Sequence, residues 1–414
     1  MRFCMVSTFY PPYHFGGDAT YVRALSRALV SRGHEVDIIH CEDAYRTVSH
    51  TKNVPELLEE DGIKVHRLKS RFGVLSPLYT QQTGRPGFKS AAIREILKQN
   101  FDVVNFHNIS LVGGPAVLGL SEAAVTLYTL HEHWLLCPAH IFWKNKMQAC
   151  DKRQCMRCSI RSGIPPQLWR YTGLIKRSLR HVDALIAPSK FTAEKHQQAG
   201  IADNIEVLPL FSTLNPEQDR ATRVTSSQPA VRQPFIYVGR VTASKGIVAL
   251  LDVFSKLPAI DLHVIGDGDL LVVLKRDYRK FANIQFLGAI NQSELIQIYQ
   301  SAKALILPSL APETFGLTIV EASACRTPAL VRSAGGSRDI VDSTGGGFVY
   351  QTDDELISYI MQLDSEAGLS DMLGEKARRG FENFYTEEQH LNTYLTLVDN
   401  IQNKKTATAK GFQK

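Results

Sequence analysis

The chain has 414 residues, of which 44% are hydrophobic and 21% are charged, and its formal net charge is +6. This length predicts two domains with separate cores, and the composition is ordinary for a globular α/β protein. The sequence contains no apolar run of the roughly 18–20 residues that a membrane span needs and no secretory h-region, and the charge is too small to indicate a nucleic-acid partner. We therefore expect a cytoplasmic protein.

The first half of the chain alternates buried strands with helices. Residues 2–7 form the first predicted strand, and a loop rich in turn residues separates it from a helix that ends at Gly33. Further strands are predicted over residues 35–40, 65–68, 103–107, 125–130 and 184–187. Strands that alternate with helices imply parallel βαβ units with right-handed crossovers. The pattern therefore predicts a doubly wound sheet.

Two features of this half are candidate ligand contacts. Gly16 and Gly17 precede the first helix, where a backbone without Cβ atoms can approach a phosphate at the helix N-terminus. The alternative is an ordinary turn in which Asp18 caps the helix. His131 follows the strand at 125–130 and should reach the ligand-binding edge of the sheet, with His107 as a weaker candidate, although a single histidine there is more often structural.

The segment between His140 and His181 is basic. It contains ten Lys and Arg residues against Asp151 alone, a net charge of 10 − 1 = +9. The ten cations are Lys144, Lys146, Lys152, Arg153, Arg157, Arg161, Arg170, Lys176, Arg177 and Arg180. Interleaved aromatic residues favour contact with an anionic membrane or a pyrophosphate-bearing acceptor. A solvated basic loop and helix is an almost equal alternative.

Four cysteines lie close together in sequence, with the spacing C-x12-C-x4-C-x2-C. They are Cys137, Cys150, Cys155 and Cys158. Four thiolates can hold a structural zinc ion, which would order a basic loop that has little core. Thiols without a metal are an equally good interpretation, and disulfides are disfavoured in a reducing cytoplasm.

The second half begins after a polar stretch at 208–233. Strands are predicted over residues 235–239, 262–265, 284–287, 304–307, 329–331 and 347–350. This alternating series predicts a second doubly wound domain. Arg240 and Lys245 follow its first strand, and two cations there could neutralise a diphosphate, although alone they are more often surface charges.

Glu313 and Glu321 flank the predicted start of a helix that Gly316 and Leu317 open. Exposed helix N–H groups and the positive dipole end attract an anion, and carboxylates accept hydrogen bonds from hydroxyl groups. Such a site suits a sugar nucleotide, with Glu313 on the sugar and Glu321 on the ribose. The alternative is two unrelated surface glutamates.

The residues around these carboxylates resemble glycosyltransferase family 4. The strand that ends in Pro308-Ser309, the Glu-x-Phe-Gly at 313–316, the Glu-Ala at 321–322 and the Gly-Arg-x4-Lys-Gly at 239–246 match its motifs in order. Arg326 stands where the family usually has Gly, so we expect a rebuilt turn. The resemblance extends from about Tyr10 to Tyr385.

The resemblance implies a GT-B fold, in which two doubly wound Rossmann-like domains face each other across a crevice. It implies a retaining enzyme that moves a sugar from a nucleoside diphosphate to a hydroxyl acceptor without a catalytic metal, in bacterial polysaccharide or glycoconjugate synthesis. From the basic segment we expect peripheral contact with the inner face of the membrane. Catalytic roles then fall to His131 and Glu313. Two alternatives are a sugar-nucleotide epimerase and a non-catalytic sugar-nucleotide or lipid-binding scaffold.

The domain boundaries follow from these patterns. We predict a first, acceptor-side domain at 1–207 with a basic excursion at 137–181, and a linker at 208–233. A donor-binding domain at 234–385 follows, and then a helix at 386–403 that crosses back to the first domain. The tail at 404–414 is predicted to be disordered.

Overall fold

The strands of the computed structural model follow the predicted alternation. The model describes residues 1–49, 62–150, 152–214, 216 and 233–411. Strands β1 to β9 are Arg2–Val6, Glu35–Cys41, Ile63–Leu68, Val103–Phe106, Val125–Thr129, Trp143–Lys144, Gln148–Ala149, Ala184–Ala187 and Glu206–Val207. Strands β10 to β15 are Phe235–Val238, Leu262–Ile265, Ile284–Gly288, Ala304–Leu307, Ala329–Arg332 and Gly347–Tyr350.

Helices connect most of these strands. Helices α1 to α7 are Gly17–Ser31, Glu42–Ser49, Leu75–Thr83, Ser90–Leu97, Cys155–Arg161, Leu174–Leu179 and Lys190–Gln198. Helices α8 to α15 are Ile247–Ser255, Leu271–Asp277, Gln292–Ser301, Leu317–Ala324, Ser337–Thr344, Asp353–Ser365, Leu369–Phe384 and Glu387–Gly411. Within the described ranges, no helix is both long enough and apolar enough to cross a membrane.

Both large sheets are parallel and doubly wound. The seven-stranded sheet has the order β3-β2-β1-β4-β5-β8-β9, and the six-stranded sheet has the order β12-β11-β10-β13-β14-β15. Their central strands are buried apolar runs, as expected when helices cover both faces. In each sheet the strand order reverses beside the first strand, at β1/β4 and at β10/β13. Ligands bind at the carboxyl ends of strands at such reversal points.

The chain divides into two compact units. The first unit comprises residues 1–140, 154–209 and 387–414, and the second comprises 141–153 and 210–386. We had placed the whole excursion at 137–181 in the first domain, whereas the structure groups 141–153 with the second unit. This piece carries the antiparallel hairpin β6-β7, which the sequence analysis missed.

The prediction of a disordered tail from residue 404 is wrong over 404–411, because α15 continues to Gly411. The Lys405 ammonium group donates to Asp183 Oδ2 at 2.7 Å and to the Ala124 carbonyl oxygen at 2.8 Å. The ion pair and hydrogen bond of Lys405 thus attach the last turns of α15 to the first unit, although the composition of these turns alone predicts disorder. Tyr394, earlier in α15, is buried, and its hydroxyl oxygen accepts a hydrogen bond of 3.1 Å from Asn105 Nδ2.

The turn at Arg326 keeps the backbone shape that glycine usually supplies. Arg326 has φ 60°, in the left-handed region that disfavours residues with a Cβ. Its guanidinium Nε lies 2.9 Å from Glu375 Oε1. The turn is therefore occupied by Arg326 in a left-handed conformation, with an ion pair to α14.

Candidate active site

The second unit brings Lys245 and Glu313 together beside its strand-order reversal. Lys245 Nζ lies 2.6 Å from Glu313 Oε1, although 68 residues separate them in sequence. Lys245 follows β10 and Glu313 follows β13, the two strands at which the order reverses. The side chains are only 23% and 18% exposed, so solvent screens the pair weakly.

A glycine allows the Lys245 turn to approach β13. Gly246 has φ 71°, and a Cβ at this position would lie 2.0 Å from the Pro308 carbonyl oxygen. The amides of Leu310 and Ala311 both donate to the Ser244 carbonyl oxygen at 3.0 Å. The turn and the loop after β13 are thus held together by backbone contacts, and the Gly after Lys245 is required by this close approach.

A second glycine holds the backbone of Glu313. Gly335 has φ 92°, and a Cβ there would lie 2.3 Å from the Glu313 carbonyl oxygen. That oxygen accepts a hydrogen bond of 2.7 Å from the Gly336 amide. The Gly335-Gly336 pair therefore fixes the position of the loop that carries Glu313.

The Glu313 carboxylate is held in its ionised form. Burial by itself would raise its pKa, but Lys245, the hydroxyl of Ser309 and the Arg240 charge outweigh burial and lower the pKa. Ser309 Oγ donates to the same oxygen that contacts Lys245. A charged acceptor next to two cations is chemically suited to orient a hydroxylated ligand beside an anionic group.

Arg240 is placed by its backbone and presents an exposed side chain. Its carbonyl oxygen accepts a hydrogen bond of 2.6 Å from the Tyr237 hydroxyl. Because its charge lowers the pKa of Glu313, the guanidinium belongs to the same electrostatic site. The structure therefore groups Arg240, Lys245 and Glu313.

Helix α11 begins at Leu317, with Gly316 at φ 132° immediately before it, as predicted. Glu321 lies in this helix, and its Oε2 accepts a hydrogen bond of 3.0 Å from the Tyr299 hydroxyl. Burial raises the pKa of Glu321 to about 7, and the Tyr299 hydrogen bond offsets only part of that shift. Tyr299 was not identified from the sequence, since no local pattern links it to Glu321.

We expect Glu321 to make folding stability fall with rising pH. Its pKa in the folded protein is about 7 against an ordinary value of 4.5. Between these two pH values the folded state holds a proton that the unfolded state has lost. This stabilisation is complete below pH 4.5 and is lost as the pH rises through 7, with a slope of at most about 1.4 kcal/mol per pH unit. Urea unfolding of wild type and Glu321→Gln at a series of pH values measures this loss of stability. The variant should show a smaller decrease between pH 5 and 7.5, and identical decreases would contradict the assignment.

In the first unit, helix α1 begins at Gly17, and Gly16 has φ 76° with an exposed backbone. The alternative interpretation, in which Asp18 caps the helix, is wrong, because the N-cap position is Gly16 and no side chain caps it. Its Oδ2 accepts a hydrogen bond of 3.2 Å from Asn108 Nδ2, and burial, together with the charge of Glu132, raises its pKa to about 6. Asp18 and Asn108 are thus polar residues near the Gly16-Gly17 loop that the sequence analysis did not select.

His131 belongs to a cluster of buried rings at the carboxyl ends of β4 and β5. Its Nε2 lies 2.9 Å from His107 Nδ1, and its ring lies 5.2 Å from the Tyr21 ring. Burial, with a smaller contribution from the charge of His390, lowers the pKa of His131 to about 3, so the ring is neutral near pH 7. Such a ring can orient a ligand by hydrogen bonding but does not supply a charge.

The last helix contributes to this cluster. His390, in α15, lies with its Nε2 2.7 Å from the Tyr21 hydroxyl and its Nδ1 2.8 Å from the Pro209 carbonyl oxygen. Tyr21 is thereby fixed between His390 and His131. No local sequence pattern predicts this role, because His390 lies 369 positions from Tyr21.

The four cysteines are not assembled into a metal-binding group. Over the ranges that the structure describes, no three or more His, Cys, Asp or Glu side chains are arranged to hold a metal ion. Cys150 Sγ instead lies 3.6 Å from the Lys152 carbonyl oxygen, and Cys158 Sγ lies 3.9 Å from Ser162 Oγ. The zinc site stays a prediction without geometric support. Elemental analysis of purified protein would find about one zinc per chain if four thiolates bind it.

Two cations of the basic segment, one partly and one almost fully buried, are not freely exposed. Arg170 packs against two tryptophan rings, 5.1 Å from the centroid of Trp134 and 4.8 Å from that of Trp169. Its Nη1 donates to the Leu135 carbonyl oxygen at 3.2 Å, and burial lowers its pKa to about 10. Lys144 is also buried. Arg170 and Lys144 therefore contribute little to an exposed cationic surface, whereas Lys176, Arg177 and Arg180 are exposed.

Comparison with known proteins agrees with this fold. A family profile described as Glycosyltransferase Family 4 matches residues 15–211, and one described as Glycosyl transferases group 1 matches residues 222–380. The molecule is therefore a glycosyltransferase of the GT-B class. More particularly, the chain belongs to the family 4 type of these enzymes, as its motifs predicted.

Individual relatives share the full length of the chain at low identity. O-antigen chain mannosyltransferase C of Escherichia coli is 23% identical over 98% of this chain and 100% of its own length. Among solved structures, sucrose-phosphate synthase from Thermosynechococcus elongatus has a TM-score of 0.73 at 20% identity, covering 97% of this chain and 98% of its own. Anabaena HepE in complex with UDP has a TM-score of 0.61 at 16% identity, covering 99% and 100%. These structures support the fold, and family membership does not favour the epimerase or scaffold alternatives.

Proposed function

We propose that the protein is a retaining glycosyltransferase that uses a nucleoside diphosphate sugar and a hydroxyl acceptor. The observation that carries the proposal is the Lys245–Glu313 ion pair beside the strand-order reversal of the second unit. A cation and a carboxylate held together there can bind the diphosphate and the adjoining sugar of one donor molecule. The Anabaena structure with UDP, of the same fold, supports a nucleotide in this class of site.

In the proposed reaction, the bond between the anomeric carbon and the diphosphate oxygen breaks, and its electron pair leaves with the diphosphate. Arg240 and Lys245 stabilise the negative charge that develops there. The acceptor oxygen forms the new bond to the anomeric carbon on the same face, and its proton passes to the departing phosphate. Glu313 orients the sugar hydroxyls, and neutral His131 donates or accepts a hydrogen bond near the reacting carbon.

The remaining donor contacts follow the same assignment. Glu321 accepts hydrogen bonds from the ribose hydroxyls, and the exposed backbone at Gly16-Gly17 and the start of α11 at Gly316-Leu317 approach phosphate or sugar oxygens. The two side-chain cations supply the positive charge at the diphosphate, so we assign no catalytic metal. This division of roles rests on the family resemblance together with the geometry of the second unit.

For the acceptor, we propose a growing surface polysaccharide or other glycoconjugate, carried on a lipid at a membrane surface. The support is the full-length similarity to an O-antigen chain mannosyltransferase and the part of the basic segment that lies in the first unit, whose Lys176, Arg177 and Arg180 are exposed. Attraction to an anionic surface contributes roughly 1 kcal/mol for each basic residue near it. These exposed cations would keep the enzyme where such an acceptor lies.

Thermal shifts with nucleoside diphosphates and their sugar conjugates test the donor assignment. A nucleoside diphosphate at 100 times its dissociation constant should stabilise the wild type by roughly 2.7 kcal/mol. Glu321→Gln should bind it about tenfold more weakly, because a neutral amide accepts less strongly from the ribose diol. Glu122→Gln, at an exposed position of the first unit, is the matched control and should bind like wild type. Equal affinity in Glu321→Gln would exclude the ribose role, and no stabilisation by any nucleotide would contradict the proposed donor.

A further inference from the structure

Helix α3 of the first unit is amphipathic, but its polar face is buried and its apolar face is exposed. Its small polar residues Ser76 and Thr80 are buried, while Leu75, Leu78 and Tyr79 are exposed. The exposed positions are related by i, i+3 and i+4, so they share one face of the helix. A helix of a globular protein normally turns its apolar face to the core. In α3 that face is turned to solvent.

The inverted orientation is fixed by a buried lysine. Lys89 Nζ lies 3.2 Å from Ser76 Oγ, 3.0 Å from Thr80 Oγ1 and 3.0 Å from the Leu111 carbonyl oxygen. These polar partners compensate the burial of a charge, which otherwise costs several kcal/mol. Rotating α3 to bury its leucines would remove Ser76 and Thr80 from Lys89. The outward apolar face is therefore part of the folded state.

Aromatic rings extend this apolar face. Phe72 and Phe88 stack with their centroids 4.2 Å apart, and the Tyr79 ring lies 5.3 Å from that of Phe88. Gly87, at φ 55°, lies so close that a Cβ would approach Tyr79 Cδ1 to 2.3 Å. Leu75 is 58% exposed and Phe88 is 47% exposed. The five exposed side chains form what we call the α3 patch: Phe72, Leu75, Leu78, Tyr79 and Phe88.

The basic segment packs directly beside the α3 patch. Trp169 Nε1 donates to the Gln81 carbonyl oxygen at 2.9 Å, and Gln81 Nε2 donates to the Pro165 carbonyl oxygen at 2.9 Å. On either side of Trp169, Leu168 and Tyr171 are themselves 63% and 66% exposed. The exposed apolar surface thus continues from α3 onto the basic segment.

The charges of both segments have one sign. Residues 69–94 contain five cations, of which all but the buried Lys89 are exposed, and no acidic residue. Residues 152–182 contain eight cations, of which Arg170 is only partly exposed, and no acidic residue. The Arg71 guanidinium lies 5.0 Å from the centroid of the Phe72 ring. An apolar and aromatic face with a cationic rim matches the boundary between anionic headgroups and acyl chains. A large exposed apolar face of this kind marks an interaction site.

We propose that the α3 patch inserts into an anionic lipid bilayer, with the exposed cations of residues 69–94 and 152–182 on the headgroups. This inference rests on the proposed function in that it identifies the membrane contact suggested for a lipid-carried acceptor. It assigns the apolar part of that contact to α3, outside the basic segment. Two kinds of side chain then act together, because charge attracts the protein to the surface and apolar insertion retains it there.

Sedimentation with vesicles tests the inference on the full chain. We compare wild type, Leu75→Ser/Leu78→Ser and Val272→Ser/Val273→Ser, using vesicles of phosphatidylcholine alone or mixed with phosphatidylglycerol. Val272 and Val273 are exposed on α9 in the second unit, so this control removes a similar number of exposed apolar side chains. Wild type and control should bind the anionic vesicles, and Leu75→Ser/Leu78→Ser should bind them at least tenfold more weakly. At higher salt, binding should weaken in all three.

Nucleotide affinity and oligomeric state separate the remaining outcomes. Leu75→Ser/Leu78→Ser should keep the nucleoside diphosphate affinity of wild type, which shows that it is folded. Vesicle binding equal to wild type in this variant would overturn the inference, as would a wild-type dimer that the variant converts to monomers, because the patch would then join two copies. A protein that binds vesicles through the patch but no nucleotide would support the inference while contradicting the proposed donor.

Discussion

Replacement of Lys245 by Ala is expected to lower kcat/KM on the order of hundredfold to thousandfold. The change removes a positive charge at the diphosphate, where negative charge grows as the glycosidic bond breaks. It also removes the main partner that keeps the pKa of Glu313 low, so burial would favour a protonated Glu313. A single substitution therefore weakens both the diphosphate contact and the carboxylate that orients the sugar. Initial rates with a fixed acceptor measure the effect.

Two variants make this test specific. Lys256→Ala changes an exposed lysine of the same unit and should leave the rate unchanged. Lys245→Arg keeps the charge with a different shape and should recover part of the activity. The double variant Arg240→Ala/Lys245→Ala should be the least active of the set, and wild-type activity in it would refute the diphosphate assignment.

Replacement of Arg170 by Ala is expected to destabilise the first unit by about 2–4 kcal/mol. The guanidinium lies against both Trp134 and Trp169 and donates to a backbone carbonyl in a partly buried site. Loss of the two cation–π contacts and of a charged hydrogen bond accounts for this magnitude. Urea unfolding followed by tryptophan fluorescence measures it.

The matched control is Arg177→Ala, because Arg177 lies seven positions along the same basic segment but is exposed. Its free energy of unfolding should lie within about 0.5 kcal/mol of the wild-type value. If both variants unfold like wild type, Arg170 does not stabilise the packing of the two tryptophans. If Arg177→Ala is the less stable of the two, the division of this segment into buried and exposed cations is wrong.

The sheet strands were largely predictable because their signal is local. Buried parallel strands appear as short apolar runs between turn residues, and β11, β13 and β15 have the predicted bounds. The edge strand β9 and the hairpin β6-β7, each strand only two residues long, have no comparable run. They form because neighbouring backbone offers hydrogen-bond partners, which the sequence does not show.

For the candidate site, the sequence determined the residue types and their order along the chain. Arg240, Lys245, Glu313 and Glu321 were selected from motifs, whereas the close backbone approaches at Gly246 and Gly335 are seen only in the structure. Only the tertiary structure decided which of them meet, because Lys245 and Glu313, 68 positions apart in sequence, are brought together by the central position of β10 and β13. The same holds for Tyr21 and His390.

The amino-acid sequence by itself thus determined two doubly wound domains, the family, and the carboxylates and cations that we propose for the donor site, since each is encoded in short apolar runs or motifs. Tertiary packing decided which side chains face inward. Arg170 counts in the sequence as one more cation of the basic segment but is held by two tryptophan rings, and the leucines of α3 face solvent although helix leucines usually face the core. In both places a cation takes specific partners elsewhere in the chain: the partly buried Arg170 packs on two tryptophan rings, and the buried Lys89 holds the polar face of α3 inward.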